Sequence, residues 1–158
     1  MDDLFDKNGA LFSEKRKYRY CLWRIWDEFL PMIMFIGLNP STANEEQDDP
    51  TIRRVVGFAR SWGYGGVYML NLFTYVTAYP AVLMKCNNPL MLSDWYLRLY
   101  AKEVDKIVFA WGSFPEAFER AEKVKGMFPI AYCLGQNSNG SPKHPLYLKS
   151  DTRLRIYI

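Results

Sequence analysis

The sequence predicts an α/β protein in which a central, mainly parallel four-stranded sheet is covered by helices on both faces. Three observations predict it. Four apolar runs, at 31–37, 65–72, 106–112 and 129–135, each end at glycine or a polar residue, the pattern of strands buried on both faces. Between them stand three helix starts, Asp49-Pro50, Asn88-Pro89 and Ser113-Phe114-Pro115-Glu116. Strand and helix therefore alternate, without repeats or long linkers, in the order that makes successive strands parallel.

The elements follow in turn. Residues 1–17 read as a charged lead-in that includes Lys15-Arg16-Lys17. Residues 18–26, Tyr-Arg-Tyr-Cys-Leu-Trp-Arg-Ile-Trp, partly alternate and read as an aromatic-rich edge strand. The run 31–37 reads as the central strand, left through the sharp loop Gly37-Leu38-Asn39-Pro40-Ser41. Asp49 then caps a helix with Pro50 at its first position, where a missing N–H costs nothing, and the helix runs to about Trp62 before Gly63. The second strand, 65–72, carries polar Asn71 at its carboxyl end. Asn88-Pro89 opens a helix whose apolar face carries Leu90, Leu92, Trp95, Tyr96, Leu99 and Tyr100, to about Val104. The third strand, 106–112, is followed by a capping box at Ser113 and Glu116 and a helix through Val124. A short fourth strand, 129–135, leads into a polar loop, 136–144, and a terminal segment at 153–158.

Composition bounds the rest. The 158 residues suit one domain, 1–158, and 49% hydrophobic with 23% charged residues excludes wholesale disorder. A net charge of +3 allows a polyanionic partner without requiring one. The longest apolar runs, 31–38 and 67–70, fall well short of the ~20 residues of a membrane span. The acidic start Met1-Asp2-Asp3 is unlike a signal peptide. A cytoplasmic protein with no membrane association is expected. Cys21, Cys86 and Cys133 are odd in number and widely spaced, and His144 is the single histidine. Neither a disulfide framework nor a metal site is expected, and no cofactor.

Ligands of parallel sheets bind at the carboxyl ends of the strands, and four unusual segments fall there: 37–41, 71–73, 111–113 and 135–145. Gly37, Leu38, Asn39, Pro40 and Ser41 combine a backbone turn, an amide and a hydroxyl that could hold a water or a phosphate oxygen; local capping by Asn39 and Ser41 is the competing reading. Asn71 could read a base edge with its donor and acceptor, or bond carbonyls. Phe73 and Trp111 could stack on a planar ligand or fill the core, with Ser113 beside them. His144, next to Lys143, could donate to developing negative charge. Asp48 is the candidate catalytic carboxylate of the Asp48-Asp49 pair, although favourable charge at a helix start explains it better.

The ordered segments Gly37-Leu-Asn-Pro-Ser, Leu70-Asn71, Ile107-Val-Phe-Ala-Trp-Gly-Ser113 and His144-Pro145-Leu146 resemble the motifs of the uracil-DNA glycosylase superfamily. The first is nearer the Gly-x-Asn-Pro form of the mismatch-specific thymine/uracil branch than the Gly-Gln-Asp-Pro form found elsewhere in that superfamily. From about Tyr18 onward the chain resembles an uncharacterised bacterial and phage family, number 1643 among domains of unknown function. Gly-Leu-Asn-Pro-Ser-Thr-Ala43, Asp48-Asp49-Pro50-Thr51-Ile52-Arg53-Arg54, Asn71-Leu72-Phe73 and Gly140-Ser-Pro-Lys-His-Pro-Leu-Tyr147 carry that likeness.

The glycosylase resemblance implies a three-layer α/β/α fold and hydrolysis of an N-glycosidic bond, without a cofactor, after a base is flipped from DNA. Asn39 would orient the water, Asn71 would read the base and His144 would stabilise the departing base. Leu146 or Tyr147 would fill the vacated stack. No aspartate stands at the water-activating position, and Leu146-Tyr-Leu-Lys149 replaces the Ser-Pro-Leu-Ser tail. A non-catalytic nucleic-acid or nucleotide binding module, or a nucleotide-modifying enzyme, remains the alternative; single- or double-stranded DNA and the oligomeric state stay open.

Overall fold

A computed structural model describes residues 7–158. Met1-Asp2-Asp3 and the rest of the first six residues of the expected lead-in lie outside them. The elements are β1 (Lys7–Phe12), β2 (Arg19–Ile25), β3 (Met32–Gly37), α1 (Pro50–Ser61), β4 (Gly66–Asn71), α2 (Ser93–Ala101), β5 (Lys106–Phe109), α3 (Phe118–Met127), β6 (Tyr132–Cys133) and β7 (Arg155–Ile156). Two short 3-10 turns, Pro80–Lys85 and Pro115–Ala117, punctuate the connections.

The sheet has the order β1-β2-β4-β3-β5-β6-β7. The four runs read as strands form its parallel centre, β4-β3-β5-β6. The four-stranded expectation is nonetheless corrected to a mixed sheet of seven strands. β2 joins β4 antiparallel, β1 joins β2 antiparallel, and β7 joins β6 antiparallel. β2 and β7 satisfy backbone groups that the four-stranded centre would leave open along its edges, and β1 those on the outer side of β2. Residues 18–26 are accordingly an interior strand, with Cys21 and Leu22 fully buried. The true edge, β1, comes out of the supposed lead-in.

Residues Ile33, Met34, Phe35 and Ile36 of β3 are inaccessible to solvent. Alternation divides them: Ile33 and Phe35 pack with Ile52, Val55 and Phe58 of α1, whereas Met34 and Ile36 pack with Leu97 of α2 and Val124 of α3. Helices thus cover both faces, α1 on one and α2 with α3 on the other.

The helix starts differ in fidelity. α1 begins as expected: the Ile52 N–H donates to Asp49 Oδ1 at 2.8 Å and Pro50 occupies the first turn. α2 does not begin at Asn88-Pro89. The Pro89 carbonyl accepts the Thr74 N–H at 2.9 Å, tying that segment to the chain leaving β4, and the helix starts only after Leu92 in a left-handed conformation. The Ser113 capping box is also corrected, because Asn139 Nδ2 donates to Ser113 Oγ at 2.8 Å and α3 starts at Phe118. Among the described residues no helix is long and apolar enough to cross a membrane.

The chain leaves β3 through α1 toward β4, then crosses back through α2 to β5 on the far side of β3. This reversal of direction opens a crevice at the carboxyl end of β3.

Candidate functional site

The crevice holds a cavity of about 250 Å³, lined from the end of β3 by Gly37, Leu38, Asn39 and Ser41, and from β4 by Met69 and Asn71. Asp49, Thr51 and Ile52 enter from the start of α1, Thr77, Ala78 and Pro80 from the connection after β4, and His144 from the late loop. Arg19 completes the wall. Ligand pockets for drug-sized molecules run from about 300 to 1,000 Å³, so this one suits a fragment the size of a single nucleobase.

The polar groups are oriented by the protein. Asn39 Nδ2 donates to Thr77 O at 2.7 Å and to Pro40 O at 3.0 Å. Two carbonyl partners fix the amide, because only its nitrogen can donate, and its Oδ1 is left as an acceptor. Arg19 Nη2 donates to Asn71 Oδ1 at 3.3 Å. A guanidinium cannot accept, so Asn71 must turn its oxygen to Arg19 and keep its NH2 as the free donor. A Cβ on Gly37 would lie 2.8 Å from that nitrogen; glycine is what lets the amide lie across β3.

His144 is held as carefully. The Leu146 N–H donates to its Nδ1 at 3.2 Å, which places the proton of the neutral ring on Nε2. Burial lowers its pKa from the ordinary 6.5, with the Asp49 charge opposing, so the ring is neutral at pH 7 and offers an Nε2–H. Gly112, at φ +74°, packs beneath it; a Cβ there would lie 3.3 Å from His144 Cβ. The strand-end segment 111–113 therefore serves the site through its glycine rather than through its flanking side chains.

Arg19 was not legible as a site residue. It is 3% exposed, its Nη1 donates to Ala43 O at 3.3 Å, and its buried Nε has no partner among the described residues. Burial lowers its pKa to about 10, against the favourable charge of Asp49, and the side chain stays cationic at neutral pH. Because β2 runs antiparallel to β4, its first residue lies at the end where the parallel strands finish. Simple alternation would place Arg19 on the face of Cys21, which packs toward α2 and α3. The register shift in the β1–β2 pairing breaks that alternation, and Arg19 instead meets Ala43 and Asn71 on the α1 side.

The two aspartates divide. Asp48 Oδ1 accepts from Arg24 Nε at 2.8 Å, and Arg24 also donates to the carbonyls of Asn44, Gln47, Trp23 and Gly9. Asp48 thus anchors the loop before α1 and does not line the cavity. Asp49 does line it, one oxygen engaged in capping α1.

Other candidates lie elsewhere. Phe73 is buried in the core, and Trp111 sits over Phe109 at 4.6 Å between ring centres. Trp111 and Ser113 line a separate small pocket against α3. Pro40 is buried beside the cavity without lining it. Lys143 and Tyr147 face a neighbouring groove, Tyr147 wholly exposed at φ +68°. Leu146 is half-buried and holds His144 through its N–H. Among the described residues no three His, Cys, Asp or Glu side chains gather as a metal site.

Residues 19–146 match the family model described as Protein of unknown function (DUF1643). No curated protein and no solved structure matches the chain.

Proposed function

We propose that this chain, which belongs to the DUF1643 family, hydrolyses the N-glycosidic bond of a uracil, mismatched or modified base in DNA. The observation that carries the reading is the convergence of Asn39, Asn71 and His144 on one base-sized cavity, each with its donor or acceptor fixed by a protein partner. These are the three residues to which the motif order assigns chemistry.

The roles follow from the fixed groups. Asn71 NH2 and His144 Nε2–H are both donors, so the cavity suits a base edge that presents carbonyl oxygens rather than amino groups. Asn39 Oδ1 accepts a hydrogen bond from a water and orients its lone pair toward C1′. As the C1′–N bond breaks, its electron pair goes to the base, and His144 donates a hydrogen bond to the oxygen where negative charge gathers. Water adds to C1′, and its proton passes to Asp49, whose carboxylate also offsets positive charge on the sugar. A neutral histidine can fill this role because its Nε2–H remains a donor to the oxygen where charge gathers.

Incubation with single- and double-stranded DNA carrying uracil, mismatched thymine or modified pyrimidines, followed by assays of abasic sites and mass spectrometry of released bases, tests the proposal. Free base from the wild type, abolished in Asn39→Ala/His144→Ala, is expected. Failure to release any base across the panel overturns it. Buried Arg19 at the cavity wall favours a second reading, a non-catalytic module for an anionic nucleotide; nucleotide binding that survives the double substitution with no product would support that module instead.

A further inference from the structure

Beyond the cavity, an open groove of about 650 Å³ runs between the loop after His144 and the C-terminal strand. Lys143, Lys149, Arg153 and Arg155 line it against one carboxylate, Asp151. None of the four cations takes part in a salt bridge among the described residues. Cations without a salt bridge among the described residues, such as Lys15, Lys17, Lys85 and Lys102, also occur elsewhere; what marks the groove is that four of them share one concavity with a single carboxylate. Four unneutralised charges held in one concavity repel each other, a cost that a bound polyanion removes.

We propose that this groove is a track for the phosphodiester backbone of a polynucleotide strand, so that the substrate of the neighbouring cavity is a polymer rather than a free nucleotide. The groove begins at Lys143, adjacent in sequence to His144 of the cavity, and both belong to one loop. Arg54 of α1 donates through Nη2 to the carbonyl of Leu148, a groove residue, fixing the segment after His144 against the body of the protein. A strand on the track therefore passes the cavity mouth. Contacts to phosphate carry no sequence information, so the track accepts any sequence and leaves selection to the cavity. The inference rests on the proposed activity only for what the cavity does, since the track makes its own claim on binding.

The test uses a fluorescein-labelled single-stranded oligonucleotide without any modified base, its anisotropy followed across a salt series. Each phosphate contact contributes about 0.7 to the log–log salt slope for a single strand, so a slope near −3 is expected for the wild type. Lys149→Glu/Arg153→Glu should weaken binding at least tenfold and flatten the slope by more than one unit. Both side chains are exposed, and an unchanged melting temperature will show that the variant folds. Binding by the variant equal to wild type overturns the track, as does tighter binding of an acidic peptide of equal charge. Oligonucleotide binding with the expected slope, but no base release from any substrate, supports the track while removing the proposed activity. Base release from the wild type with binding unaffected in the variant does the reverse.

Discussion

At the scale of single residues, the cavity is shaped by what each neighbour forbids. His144 cannot present Nδ1 to a ligand because that nitrogen accepts the Leu146 N–H, and it resists protonation because burial disfavours the charged ring. Its pKa is therefore expected below the ordinary 6.5, and as the chain has a single histidine an NMR titration of the ring protons reads it without overlap. The linkage has a definite sign. A folded-state pKa below the unfolded value means that the unfolded chain binds more protons, so stability is complete above about pH 6.5 and declines as pH falls through the folded value. His144→Gln should remove that limb from a plot of urea midpoint against pH. The loss at lower pH, from Asp94 held low by Lys123 and Arg120 and Glu45 held to about 2 by Arg16, should persist.

The two aspartates give a second prediction at this scale. Asp49 both caps α1 and faces the cavity, and Ser at the same position retains the cap while losing the charge. Asp49→Ala should destabilise the protein by about 0.5–2 kcal/mol in urea unfolding, and Asp49→Ser by less. On the proposed role of the carboxylate, both should lose base release alike. If Asp49→Ser kept full activity, the carboxylate would be no more than a cap.

Elements explain why some of this was legible and some not. The path from β3 through its loop into α1 could be read directly, since an uninterrupted apolar run, an Asn-Pro loop and an Asp-Pro helix start are each determined within a few residues. β2 was legible as a strand, but its place beside β4 was not. β1 and β7 were not legible at all, since a strand of Lys-Asn-Gly-Ala-Leu-Phe or of two residues has no periodicity to detect, and exists because an edge is there to pair with. The same non-local pairing hid Arg19, which reads as a surface cation until β2 is placed antiparallel beside β4. α2 was misplaced because Pro89 is engaged by Thr74, a tertiary contact that overrides a local start signal. The loop before α1 yields the third prediction. Arg24 crosses from β2 to hold Asn44, Gln47 and Asp48, so Asp48→Asn should cost about 1–3 kcal/mol through the weakened charged hydrogen bond. Base release should persist in Asp48→Asn at a temperature where it remains folded. Loss of chemistry in a stable Asp48→Asn protein would return that residue to the catalytic set.

At the scale of the whole molecule, the cavity joins parts that the sheet brings from both ends of the chain. Arg19 comes from the start of β2, Asn39 and Asn71 from the ends of β3 and β4, and His144 from a loop that no regular element contains. That loop is positioned from its far side. The Tyr157 hydroxyl donates to Gly140 O at 2.9 Å, its N–H donates to Ala131 O at 2.9 Å, and its ring meets Phe109 edge-on at 5.3 Å. Within the loop, the Asn137 N–H donates to Ser141 O and the Lys143 N–H to Gly135 O. β7, two residues long and exposed, therefore bears on the site by fixing where Tyr157 stands. Tyr157→Phe removes one hydrogen bond and leaves the ring, so global stability should fall by only about 0.5–1.5 kcal/mol. The larger effect should be local: faster hydrogen exchange at the Asn137 and Lys143 amides, with exchange at the β3 amides set by global unfolding. Base release should fall in proportion to the time the loop spends open, and substrate at saturation should restore part of it by binding the closed form. Equal acceleration of exchange in the loop and in β3 would mean that Tyr157 holds the fold as a whole, and the His144 loop would need another anchor.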